Sequence, residues 1–241
     1  MRVTFVPTAQ AFAKEAADHI GELLEQNPRA TLALPSGSTP LGLYAEIARR
    51  ARTGGVHLEQ ARIFNLDEYC GVAAEDPRSF AHYFRRHLAG PLGLLDDQVD
   101  LLNGAAADSG KECARYERAI AASSGLDLCV LGLGANGHIA FNEPGTSFDL
   151  RTHVALLAQG TRTRLEADGW EAPRIPTHGL TLGIRNVLEA RRVLLLIAGR
   201  GKEAAAASFY QGVEDPAWPV TCLLRHPDVT VIDAGAPSAL P

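Results

Sequence analysis

Residues 134–145, GANGHIAFNEPG, gather side chains suited to moving protons. Asn136, His138, Asn142 and Glu143 lie close together among Gly134, Gly137 and a terminating Pro144-Gly145. An imidazole titrates near neutral pH and can give and take a proton. A carboxylate five residues on, returned by a tight turn, can fix its tautomer and raise its basicity. A lone histidine is more often structural, but one framed by glycines, amides and an acid at a strand end is a candidate acid–base. Asp67-Glu68 ends an apolar run, ARIFNL, and provides either a helix cap or a base. Pro35-Ser36-Gly37-Ser38-Thr39-Pro40 joins a strand pattern to a helical one. It reads as an anion cradle of backbone N–H groups at a helix start, or as an ordinary capped turn. Of the lysines Lys14, Lys111 and Lys202, only Lys202 falls in a glycine loop between strand and helix. There it can neutralise a phosphate or simply face solvent.

These clusters need a scaffold that delivers strand ends to one edge. Residues 126–132, LDLCVLG, are apolar or glycine at all positions but Asp127, as in a strand buried on both faces of a sheet. Alternation at 2–6 and apolar runs at Thr31–Leu34, Ala61–Leu66, Val99–Leu102, Arg192–Ala198 and Val229–Asp233 predict further strands, and Gly179–Gly183 reads as ordered without a stated element. Between them, apolar residues recur at helical spacing after Ala9, Leu41, Ser79 and Glu203 and around Cys113, Tyr116 and Ile120. His153–Leu157 reads as a strand, Thr161–Asp168 as a short helix and Gly169–Pro176 as a loop. The alternation predicts one α/β domain over residues 1–241, with a mostly parallel sheet flanked by helices in a modified Rossmann-like layout. Ligands of such sheets bind at the carboxyl ends of the strands. Gly132, Gly134 and Gly137 match a G-x-G-x-x-G dinucleotide fingerprint, but Pro144-Gly145 stops the helix that fingerprint needs.

Across 241 residues, 46% are hydrophobic and 21% charged, enough for a full core. A net charge of −5 argues against a nucleic-acid surface. No apolar run would span a bilayer and residues 1–12 lack a signal-peptide pattern, so a soluble, cytoplasmic protein is expected. Cys70, Cys113, Cys129 and Cys222 are widely spaced without CxxC, which predicts free thiols; no metal-ligand spacing appears.

Taken together, LGLGANGHIAFNEPG (131–145), ALPSGSTP (33–40), FNLDEYCG (64–71), LTLGI (180–184), Lys202 and TCLLRHPDVTVID (221–233) closely resemble the glucosamine-6-phosphate deaminase/isomerase family, in order and over nearly the whole chain. The resemblance implies an amino-sugar phosphate as small-molecule substrate, acted on by a monomer or homo-oligomer without metal or organic cofactor. The product would be the ketose 6-phosphate plus ammonia. It implies that Asp67 moves the proton between C2 and C1 and that His138 opens the sugar ring, with Asn136 and Glu143 around it. Ser36, Gly37, Ser38, Thr39, Gly137 and Lys202 would hold the substrate.

The chain departs from the family pattern in three places. Position 136 is Asn where many members carry Asp, so it can orient His138 but brings no charge. The phosphate-binding arginine is not placed cleanly, leaving Arg162, Arg164 and Arg174 as candidates. The C-terminal stretch is shorter than the tail of hexameric, allosterically controlled members, so such control is not expected. Parts of the chain also resemble deaminases of the galactosamine epimer. The 6-phosphogluconolactonases, which share the broad fold and a glycine-histidine loop, and sugar-phosphate sensor domains are the remaining alternatives.

Overall fold

A computed structural model describes residues 1–235. The strands are β1 (Arg2–Phe5), β2 (Thr31–Leu34), β3 (Arg62–Asn65), β4 (Asp67–Tyr69), β5 (Val99–Asp100), β6 (Leu128–Gly132), β7 (His153–Leu156), β8 (His178–Thr181), β9 (Val193–Ile197) and β10 (Val229–Asp233). The helices are α1 (Ala9–Gln26), α2 (Leu41–Arg52), α3 (Phe80–Phe84), α4 (Gly90–Leu92), α5 (Ser109–Ala122), α6 (Gln159–Ala167), α7 (Ile184–Glu189) and α8 (Glu203–Tyr210).

Seven strands form a parallel sheet in the order β1-β10-β9-β6-β2-β3-β5. From β2 the chain builds outward through β3 and β5, then crosses back to place β6 on the other side of β2. The loops leaving β2 and β6 therefore diverge at a topological switch point, where a parallel sheet opens a crevice beyond its carboxyl ends. The β6 strand has the two-sided burial expected of it. Cys129 and Leu131 enter a core with α5, α7 and α8, while Leu128 and Val130 enter a second core with α1 and α2. α1 buries Phe12, Ala16, Ile20, Leu23 and Leu24 along one stripe, and Thr8 caps it by accepting from the Ala11 amide.

The structure corrects several sequence expectations. Asp67–Tyr69 is not the tail of β3 but a strand of a second, antiparallel sheet, β4-β8-β7. The chain breaks at Leu66 because the Asn65 side chain turns back: its Nδ2 donates to Asp67 O at 2.7 Å while its Oδ1 accepts from the Leu102 amide. The Val99–Leu102 run pairs only through Val99–Asp100, and the run at Gly179–Gly183 becomes β8, His178–Thr181. β10, the last strand in sequence, is an interior strand, and β1 forms that edge. The helix expected from Thr161 begins at Gln159. As the sequence implied, no helix opens directly after β6, where an isolated bridge between Ile139 and Asn142 tightens the turn. All four cysteines are free thiols, and no described helix is long and apolar enough to cross a membrane.

Candidate active site

A cavity of about 630 Å³ opens at the switch point. It is lined from β2's loop (Pro35–Thr39), Leu66 and the first residue of β4 (Asp67), the loop after β6 (Leu133–Asn136, His138), α6 and the loop after β9. Ser36, Gly37, Ser38, Thr39, Asp67, Asn136, His138 and Lys202 all face it, although they come from three separate loops and the start of β4. Glu143 stands behind His138, and Gly137 lies outside the lining. A Cβ on Gly137 would meet Trp218 at 2.9 Å, and its φ is +82°, so this glycine serves close packing beneath the loop.

His138 belongs to a relay. Its Nδ1–H donates to Asn136 Oδ1 at 2.7 Å, Asn136 Nδ2 donates to Glu143 Oε2 at 2.8 Å, and Glu143 Oε1 accepts from Thr161 Oγ1 at 3.2 Å. Because the Asn136 amide nitrogen is committed to a carboxylate, its oxygen must face the imidazole. This sets the proton on Nδ1 and leaves Nε2 with a lone pair. Glu143 Oε2 is also 3.5 Å from Nδ1, so the negative charge that Asn136 cannot supply lies one atom shell away. Burial raises the Glu143 pKa, but His138, Asn136 and Thr161 outweigh it and hold the group below the ordinary glutamate value. Gly134 leaves the room the ring occupies: a Cβ there would lie 2.4 Å from imidazole atoms. Its φ is not in the left-handed region, so alanine adds the clash without backbone strain. Gly134→Ala is expected to turn His138 out of register and lower kcat/KM about 100-fold while the protein stays folded. Turnover matching the parent, with unchanged circular dichroism, would show that the ring position is unimportant.

The two adjacent carboxylates separate by role. Glu68 is buried and accepts from the Tyr69, Phe80 and Ala81 amides at 2.9, 3.0 and 2.8 Å, which ties β4 to the first turn of α3. Burial still lifts it to about 7 against those donors. Asp67 faces the cavity and has one side-chain donor, Ser36 Oγ at 3.4 Å. Burial first, then the neighbouring Glu68 charge, push it up to about 8, with Ser36 and Arg164 pulling the other way. A carboxyl poised there is a stronger base, once ionised, than an ordinary aspartate.

Opposite these groups lies a cationic end. Lys202, at the N-cap of α8, donates to Thr39 Oγ1 at 3.3 Å, and burial followed by Arg164 lowers its pKa. Tyr83 donates to the Gly37 carbonyl at 2.7 Å and Tyr44 to that of Pro35, holding the loop by its outward oxygens. Among the candidate arginines, the cavity selects Arg164. Arg174 is exposed beside Glu171 at 3.8 Å, and Arg162 does not line the cavity. Helical phase separates Arg162 from Arg164, which sequence spacing without a fixed helix start could not do. Arg200 and Thr161 also line the cavity, and no motif marked them. The arrangement sets a carboxyl of raised pKa, an imidazole of fixed tautomer and clustered cations on one crevice.

A sequence profile of the family described as glucosamine-6-phosphate isomerases/6-phosphogluconolactonase matches residues 6–232. The glucosamine-6-phosphate deaminase of Beutenbergia cavernae is 41% identical over 242 residues, covering 100% of this chain and 93% of that protein. That of Streptomyces coelicolor is 40% identical over 243 residues, with the same 100% and 93% coverage. A solved monomeric glucosamine-6-phosphate deaminase superposes with a TM-score of 0.93 at 34% identity, with 97% of each chain covered. The 6-phosphogluconolactonase of Thermotoga maritima reaches 0.74 at 22% identity, covering 96% of this chain and 98% of that one, a likeness of fold.

Proposed function

The chain belongs to the glucosamine-6-phosphate isomerase/6-phosphogluconolactonase family, and within it we propose that it converts glucosamine 6-phosphate and water to fructose 6-phosphate and ammonia. The observation that carries this reading is Asp67: a carboxyl pushed up to about 8, on the same cavity as a tautomer-set histidine and the Arg164–Lys202 end. Hydrolysis of a lactone needs an activated water but no C–H base. Aldose–ketose isomerisation needs one.

With the phosphate at Ser36–Thr39, Arg164 and Lys202, the sugar reaches back toward His138 and Asp67. His138 Nε2 takes the anomeric hydroxyl proton and returns it to the ring oxygen, opening the pyranose. Asp67 then removes the C2 proton and delivers it to C1 while a proton passes from the amine nitrogen to O1, converting the C1 aldehyde and C2 amine into a C1 alcohol and a C2 imine. Water adds to that imine, ammonia departs and the water oxygen remains as the C2 carbonyl, which makes the overall change a hydrolysis. A sugar phosphate is charged and does not cross membranes unaided, so the substrate is met where it is made, in the cytoplasm.

The test is ammonia release by the purified protein, with glucosamine 6-phosphate and galactosamine 6-phosphate assayed side by side. Release from the first is expected. Release from the galacto epimer alone would move the substrate, and silence on both with hydrolysis of phosphogluconolactone would move the chain to the lactonase branch.

A further inference from the structure

Thr161 sits one helical turn before Arg164 on α6, and residues three apart share a helix face. Both line the cavity. The Thr161 hydroxyl does not cap its own helix, whose N-cap, Ala158, makes no side-chain bond. It reaches across to Glu143 Oε1, the far end of the relay that sets the His138 tautomer. α6 is otherwise thinly held: of its nine residues only Thr161 and Leu165 are buried. An element with so few anchors has a seating that a ligand can bias, provided the ligand binds the seated form better. An anion bound by Arg164 would do so, and the same turn of helix would hold Thr161 against Glu143.

We propose that Thr161 is a positioning residue through which an anion held by Arg164 orders the Glu143–Asn136–His138 relay, so that the phosphate end of the substrate prepares the acid–base at the other end. The inference rests on the deaminase reading of the cavity. It adds that the phosphate is a trigger as well as a handle.

Thr161→Val keeps the shape of the side chain and removes only the donor. It is expected to lower kcat about tenfold with KM within about twofold, and Thr161→Ser is expected to restore kcat. A readout independent of turnover comes from the ¹⁵N shifts of the His138 imidazole at about pH 8.5, assigned by their loss in His138→Gln. Inorganic phosphate is expected to raise the Nδ1–H tautomer population in the parent and in Thr161→Ser, and to leave it unchanged in Thr161→Val. Equal phosphate responses in the parent and Thr161→Val would overturn the proposal, as would a Thr161→Val variant that changes KM alone. If the parent releases no ammonia, the deaminase reading fails while the phosphate response still decides the role of Thr161.

Discussion

Asp67→Asn is expected to reduce ammonia release about 1,000-fold while leaving KM within about threefold of the parent, in line with loss of a positioned general base. Asparagine keeps the volume of the side chain and an oxygen able to accept from Ser36, which now donates at 3.4 Å. The cationic end is untouched, so binding of the phosphate survives. Only the lone pair that takes the C2 proton is lost. In the parent, kcat/KM is expected to climb with pH until about 8, where Asp67 becomes ionised in the free enzyme. An ordinary aspartate would have completed that rise four units lower. A rate plateau extending down to pH 5, or a variant retaining a tenth of the parent's turnover, would remove Asp67 from the reaction.

The same substitution has a thermodynamic signature of opposite sign. Asp67 titrates at 3.8 by itself and near 8 in the fold, so between those values the unfolded chain has lost a proton that the native state keeps. Stability from this group is therefore intact below about pH 4 and falls as pH rises toward 8, by roughly 1.4 kcal/mol per unit at most. Asparagine has nothing to ionise. The melting temperature of Asp67→Asn should thus rise relative to the parent between pH 5 and pH 8, by several degrees, given about 2–4 °C per kcal/mol for a chain of this size. A constant offset caused by the amide itself would appear equally at both pH values. Parallel curves would mean that Asp67 is not held protonated by the fold.

What could be read along the chain was what is encoded locally. β6 was legible because burial on both faces imposes an uninterrupted apolar run, and the acid–base candidate followed from polar residues crowded at that strand's end. Ser79 accepts from the His82 amide as its position before an apolar stripe implied. The local pattern did not separate Asp67 from Glu68, which only the resemblance did, because the physical distinction rests on the Phe80 and Ala81 amides arriving from α3. Three residues are too few to show strand alternation, and β4's partner, β8, lies more than 100 positions downstream, which hid the antiparallel sheet. Thr161 carried no local signal either: its contact with Glu143 exists only once α6 has folded over the loop after β6.

Glu143→Gln is expected to lower kcat about 100-fold, again with little change in KM, since Glu143 stands behind the cavity wall. Glutamine fits the relay without reversing it. Its oxygen can accept from Asn136 Nδ2, and its amide can donate to the Thr161 oxygen, which otherwise donates to Oε1 at 3.2 Å. Geometry is preserved and charge is lost. At 3.5 Å from Nδ1, that charge favours the imidazolium formed as His138 takes the anomeric proton. A few kcal/mol is a reasonable scale for such a pair in a partly buried setting. If charge rather than shape is the cause, it should be transferable within the relay. Adding Asn136→Asp to Glu143→Gln places a carboxylate directly on Nδ1, with the glutamine amide able to donate to its second oxygen. The double variant is expected to recover about tenfold of the lost kcat. Failure of the second change to improve on the first, with both proteins folded, would mean that Glu143 acts by orientation alone and that Asn136 already supplies all the relay needs.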